Sequence, residues 1–188
     1  MKSASIGSLS PEFALLGMLS QGPAHGYELH QKLSTELGEV WHLSQSQIYN
    51  ILNRLEGKGY IRGTVLQQKK LPAKRLFHLT EAGKNRFNSW LYSPSRSSVR
   101  SIRIEFTTRL YFALAIDPEM ASDMIDGQIA EIQGGLKHLE VRKSSLPDDQ
   151  TFNRLGLDLR IRQLNSILDW LASCYEILEI SSNKNLSI

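Results

Sequence analysis

The chain has 188 residues, 41% hydrophobic and 22% charged, an ordinary balance for a globular protein and enough length to bury a real core. Its net charge of +3 is unevenly placed, with +5 over residues 1–92 and −2 over residues 93–188. The single cysteine, Cys174, excludes an internal disulfide and a cysteine zinc cluster, and the apolar run at 13–19 is too short to span a bilayer. A basic first half joined to a near-neutral second half suits a nucleic-acid module with a partner module, in a cytoplasmic protein with no membrane contact.

Ser10, Pro11 and Glu12 form a helix start: a capping hydroxyl, a proline tolerated at the first turn and an acid at the positive end of the dipole. Phe13, Leu15, Leu16, Met18 and Leu19 follow, and the pair Gly22 and Pro23 stops the helix. A second helix is expected from Gly26 to Leu37, with Tyr27, Leu29 and Leu33 as its apolar face. The third opens at Ser44, where Gln47 three residues on completes a capping box. Ile48, Ile51, Leu52 and Leu55 share one of its faces, while Ser46, Asn50, Asn53 and Arg54 lie opposite, flanked by Gln47 and Tyr49. Two strands at 60–66 and 75–79 flank a basic tip carrying Lys69, Lys70, Pro72 and Lys74, with Arg75 just beyond. Thr80 and Glu81 then cap a fourth helix that turns Phe87, Trp90 and Leu91 inward.

Residues 93–101, rich in Ser, Pro and Arg, read as a linker between a domain at 9–92 and a helical domain at 102–182. Helices are expected over 102–116, from Asp117, Pro118 and Glu119 to Ser144, and over about 150–180. In the last helix Leu157, Ile161, Leu164, Leu168, Leu171, Tyr175 and Leu178 step alternately by four and three. Ile125, Ile129, Ile132, Leu136 and Leu139 do the same in the one before. That spacing keeps a narrow apolar seam toward a partner. A helical hairpin within the chain uses part of it, and Ile167, Trp170, Cys174 and Ile177 widen the face enough for a second chain, so the seam is read as a homodimer surface.

Between Ser44 and Arg100 there are 11 Lys and Arg against 2 acidic residues, a local +9. DNA affinity rests on neutralising phosphates, and base reading rests on paired donors and acceptors such as those of Asn, Gln and Arg. The polar helix face supplies Ser46, Gln47, Asn50, Asn53 and Arg54, Tyr49 suits a phosphate, and Lys69, Lys70, Lys74 and Arg75 suit the backbone. Each feature alone is what a solvated surface looks like. Their order and shared charge give the fold class: mostly α (α+β), a winged helix-turn-helix domain followed by a helical dimerisation domain. No phosphate loop, nucleophile elbow or metal motif is present, and His25 and His30 stand five apart, off the helical i,i+4 spacing. No catalytic residue, metal or cofactor is expected.

Three runs carry a family resemblance: Leu15-Leu16-Gly17-Met18-Leu19; Gly22-Pro23-Ala24-His25-Gly26-Tyr27-Glu28-Leu29; and Ile48-Tyr49 through Arg54-Leu55-Glu56 to Gly59-Tyr60-Ile61. With Leu79-Thr80-Glu81-Ala82-Gly83 they resemble the PadR family of transcriptional regulators over residues 9–92. The remainder resembles the longer PadR subgroup with a virulence-activator-like helical C-terminal domain. The resemblance implies a homodimer that binds a near-palindromic operator in double-stranded DNA, usually as a repressor, and in some members is released by a small aromatic effector. It carries the base-reading role onto Ser46, Gln47, Tyr49, Asn50 and Asn53 and the backbone role onto the wing lysines, and it places Tyr27 beside them. Trp90 and Phe106, among aromatics bracketing the linker, are the candidate effector residues. The alternative is a winged helix that serves as a protein–protein interaction module without tight DNA binding.

Overall fold

Helix α1 (Glu12–Ser20) is buried along nearly its whole length, from Glu12 to Leu19. A helix apolar all round belongs at the centre of a core, and the other elements of the N-terminal part surround this one. The structure is a computed structural model that describes residues 9–68, 71–93 and 98–185, and their side chains except those of 66–68, 71–74 and 178–185. The helix begins one residue later than the sequence suggests: Pro11 is its N-cap, and the Glu12 N–H donates to Ser10 Oγ at 3.3 Å.

A two-residue strand β1 (Ala24–His25) leads into α2 (Gly26–Glu36), which buries Gly26, Leu29 and Leu33. Helix α3 (Gln45–Gly57) buries Ile48, Ile51, Leu52 and Leu55, the face expected from their spacing. Gly59, at φ +74°, makes the tight turn out of it, a conformation in which glycine is unstrained. Strands β2 (Ile61–Gln68) and β3 (Leu71–Leu79) form an antiparallel hairpin in the register Ile61 opposite Leu79 and Val65 opposite Arg75, with an irregularity between Leu66 and Gln68. Both strands reach further toward the tip than the sequence suggests, so Lys74 joins Arg75 on β3 itself. Strand β1 pairs with the far edge of β3, Ala24 opposite Phe77, giving the sheet order β1-β3-β2. This third strand, too short to show as periodicity, closes a helix-turn-helix and wing. The fold is mostly helical with one small sheet, as the sequence indicates.

Helix α4 (Glu81–Leu91), capped by the Thr80 hydroxyl on Gly83 N–H at 3.1 Å, buries Phe87, Trp90 and Leu91. The chain divides into two units, one of residues 1–93 with Arg103–Phe112, the other of 94–102 with 113–188. Helix 99–116 is not uniform: α5 (Val99–Ser101) passes through a π-helical stretch (Ile102–Phe106) into α6 (Thr107–Ile116). Residues of this helix fill the first unit. Phe112 meets Phe87 edge-on at 5.2 Å, Trp41 Nε1 donates to Thr108 Oγ1 at 2.9 Å, and Arg109 donates to the Ser93 carbonyl.

The second unit is built on α7 (Pro118–Ser144) and α8 (Thr151–Asn185), joined by a short turn. Asp117 caps α7 through the Glu119 N–H at 2.9 Å, with Pro118 at the first helical position. Ala121, Ile125, Gln128, Ile132, Leu136 and Leu139 are buried along α7, against Leu164, Leu171 and Cys174 of α8. Among the described residues no helix is long and apolar enough to cross a membrane, and no group of three acidic, His or Cys side chains is placed to hold a metal ion.

Candidate nucleic-acid interface

The N-terminus of α3 is held by the reciprocal bonds its sequence encodes. Ser44 Oγ accepts the Gln47 N–H at 3.3 Å, and Gln47 Oε1 accepts the Ser44 N–H at 2.8 Å. Gln47 therefore has its side-chain oxygen engaged and presents only its amide as donor. Ser46 Oγ lies 3.0 Å from Ser44 Oγ. Ser46, Gln47, Asn50 and Asn53 are all exposed, on the side opposite the buried Ile48, Ile51, Leu52 and Leu55. Asn50 and Asn53 offer an intact amide, one carbonyl and one NH₂, the pair of groups that reads an adenine edge.

The N-terminus of α2 stands beside this face. A Cβ on Gly26 would come within 2.6 Å of the Tyr49 ring, so the absence of a side chain at 26 lets α3 bring its tyrosine over the start of α2. Tyr49 is 37% exposed. Tyr27, placed by the sequence on the apolar face of α2, is 42% exposed instead. Its hydroxyl donates to Glu28 Oε1 at 3.0 Å and its ring stacks on His25 at 5.8 Å. The Glu28 bond raises the phenol's pKa above the ordinary tyrosine value, with burial and the charge of Glu28 adding to it. Glu28 Oε2 also accepts the His25 N–H at 2.8 Å, and His25 Nδ1 donates to the Arg75 carbonyl at 2.8 Å, joining α2 to the base of the wing.

Both of the expected DNA-contacting arginines are occupied by acids. Arg54 Nε donates to Glu12 Oε1 at 2.6 Å, and Arg75 Nη2 donates to Glu56 Oε2 at 2.6 Å. Glu56 Oε1 accepts the Gly63 N–H at 2.8 Å, so one carboxylate ties the end of α3 to both wing strands. Lys69 and Lys70 lie outside the described residues; the Lys74 backbone pairs with Leu66. Arg62 on β2 and Lys58 at the C-cap of α3, the latter 3.6 Å from Glu12 Oε1, are further exposed cations near the wing base that were not among the expected contacts. Their signal was present in the +9 stretch. Glu12, Glu56 and His25, which hold the face in place, left no comparable signal because their partners Arg54, Arg75 and the Arg75 carbonyl are distant in sequence, whereas Glu28 acts locally on the His25 N–H three residues before it.

Of the seam residues on α8, Leu164 and Leu171 are buried within the second unit, at 1% and 0% exposure. Leu157, Ile161, Leu168 and Tyr175 are half-buried, the Tyr175 hydroxyl donating to Asp126 of α7 at 2.7 Å. The Leu178 side chain lies outside the described residues. The seam thus faces α7. Among the described residues, the exposed large apolar side chains of α8 form a different row, Phe152, Leu155, Leu159, Trp170 and Ile177. At 100° per residue these fall on the opposite side of the helix. In the first unit Trp90 and Phe106 are both buried, Trp90 stacked on Phe13 at 4.7 Å with Arg109 over its ring at 5.0 Å.

Residues 15–89 match the model of the transcriptional regulator PadR-like family, and residues 102–179 match that of the virulence activator alpha C-terminal domain. The negative transcriptional regulator PadR of Bacillus subtilis is 33% identical over 132 residues, which cover 69% of this chain and 70% of that protein. A probable transcriptional regulator of Mycobacterium tuberculosis is 24% identical over 181 residues, covering 88% and 96%. Among solved structures, Bacillus subtilis PadR in complex with operator DNA aligns at a TM-score of 0.43 and 26% identity over 89% of this chain and 98% of that one. The same protein in complex with p-coumaric acid aligns at 0.40 and 26% over 90% and 98%. With the helix-turn-helix, the wing and both domain matches in place, the chain belongs to the PadR-like family of transcriptional regulators.

Proposed function

We propose that the protein is a cytoplasmic, dimeric repressor that binds a near-palindromic operator and is released by a small aromatic effector. The observation that carries the DNA-binding reading is the exposed Asn50–Asn53 face of α3, capped at one end and braced to a basic hairpin at the other. Base-edge contacts from that face specify sequence, and wing lysines on phosphates set affinity and orientation. The 33% identical relative is named a negative regulator, which supports repression.

The exposed apolar row on α8 supports contact with a second copy. Phe152 and Ile177 lie equally far from the point between residues 164 and 165, and so do Leu159 and Trp170. An isologous contact requires residue i to meet j of the partner while j meets i, and an antiparallel α8–α8 contact with this register does so. The effector part rests on Trp90 and Phe106, where an aromatic ligand would insert into the ring cluster of the first unit.

Fluorescence anisotropy with the gene's own upstream duplex, at two salt concentrations, tests the DNA reading. Saturable binding that beats random duplex and weakens steeply with salt supports it. Equal, micromolar binding to every sequence favours the protein–protein interaction module. A saturable tryptophan quench by a phenolic compound, absent in Trp90→Phe, supports the effector site; no quench by any of a panel removes it.

A further inference from the structure

Glu12 is the acid with the most cations around it among the described residues. Its side chain is only 6% exposed, yet it faces Arg54 at 2.6 Å, Lys58 at 3.6 Å and Arg86 at 3.3 Å. Burial works to raise its carboxyl pKa. The Arg54 hydrogen bond and the charges of Lys58, Arg54 and Arg86 outweigh that, so it titrates below the ordinary carboxylate value and is ionised at neutral pH. The three cations come from two elements. Arg86 of α4 is locked, its side chain 14% exposed and its guanidinium over the rings of Phe13 at 5.1 Å and Tyr60 at 4.8 Å. Arg54 and Lys58, at the C-terminal end of α3, are 50% and 48% exposed.

Those two cations are long, half in water and on the helix that carries the reading face. Released, they would add phosphate contacts that carry no sequence information. We propose that Glu12 is a positioning residue for the DNA-binding face, holding Arg54 and Lys58 against α1 so that α3 reads bases through Asn50 and Asn53 instead of gripping phosphate through its C-terminal end. The acid at the first turn of α1 thus limits non-specific affinity in favour of discrimination. This goes beyond the DNA-binding reading and rests on it for the meaning of specificity. Its core, the withholding of two cations from a polyanion, is measurable on any duplex.

The test compares wild type, Glu12→Gln, and the double variant Glu12→Gln with Arg86→Met, which removes the buried cation that loss of Glu12 would strand. A folded variant is confirmed by circular dichroism and binding is titrated on random and operator duplexes across a salt series. Freeing Arg54 and Lys58 is expected to tighten random-duplex binding roughly tenfold near 0.1 M salt and to steepen the log–log salt dependence by about 2, as two added phosphate contacts require. The operator-to-random ratio falls. Adding Arg54→Gln and Lys58→Gln to the double variant restores the wild-type slope, and Arg86→Met alone leaves it unchanged. A folded double variant with unchanged or weaker random-duplex affinity overturns the proposal. If wild type shows no operator preference at all, the repressor reading fails, while the random-duplex comparison still decides the role of Glu12.

Discussion

Glu56 and Arg75 meet at 2.6 Å across the junction between the recognition helix and the wing, 19 residues apart in the chain. Because Glu56 also accepts the Gly63 N–H at 2.8 Å, it sets the angle of the hairpin to α3 with a charge-assisted bond to each strand. Glu56→Ala is expected to cost about 1–2 kcal/mol of stability, since the Gly63 donor loses its partner while the half-exposed Arg75 finds water. Operator affinity should fall by more than stability explains, because the wing loses its register to the helix. Equal operator affinity at a temperature where both proteins are folded would count against this strut.

The two sets of DNA-facing residues should separate in one experiment. Asn50→Ala or Asn53→Ala is expected to lose about 1–3 kcal/mol at the preferred base and to relax preference there, with the salt dependence unchanged. Replacing Lys69, Lys70 and Lys74 with Gln should weaken binding to all duplexes alike and flatten the log–log salt slope by up to about 3. The reverse pattern, with lysines altering preference and asparagines altering the slope, would reassign the two surfaces.

Gly26 meets the far end of the Tyr49 ring, an exposed side chain able to turn away. Gly26→Ala is therefore expected to cost less than about 1 kcal/mol in a urea titration while displacing Tyr49 and lowering DNA affinity. A large drop in the urea midpoint would mean that Tyr49 is held more firmly than its 37% exposure suggests.

The α8 row gives a test of association. Leu159→Asp or Trp170→Asp should shift sedimentation toward monomer, since each places a charge in the self-complementary contact proposed for the two copies. Leu164→Ala should instead destabilise the second unit itself by about 2–5 kcal/mol, because Leu164 is buried within one chain. Monomer formation by Leu164→Ala at unchanged stability, with no effect from the aspartates, would place the interface on the other face.

Tyr175 gives a pH signature for the hairpin. Burial, followed by the Asp126 hydrogen bond and the charges of Asp126 and Asp123, pushes its phenol up to about 12. A raised folded value means that its contribution to stability is complete below the ordinary tyrosine value near 10 and is lost as pH rises through about 12. Tyrosinate absorbance at high pH should show one late step, absent in Tyr175→Phe and moved down in Asp126→Asn. Titration of that step near 10 in the intact protein would mean that the bond to Asp126 is not made in solution.

Much of this architecture is local in origin and could be read in order along the chain. The Ser44–Gln47 box, the Thr80 and Asp117 caps and the buried faces of α3 and α4 depend on residues two to four apart, so spacing alone determined them. The exposed Ser46, Gln47, Asn50 and Asn53 followed as the complement of the buried set. Tertiary structure decided the rest. It alone paired Glu12 with Arg54 across 42 residues and His25 with the Arg75 carbonyl across 50, and it alone added β1 to the sheet. It chose which of two apolar faces on α8 meets α7, and it drew Phe106 and Phe112 into the first unit. A heptad seam or an aromatic side chain states that a surface wants burial but not against what. That choice is made by packing between segments far apart in sequence, where every candidate partner competes for the same space.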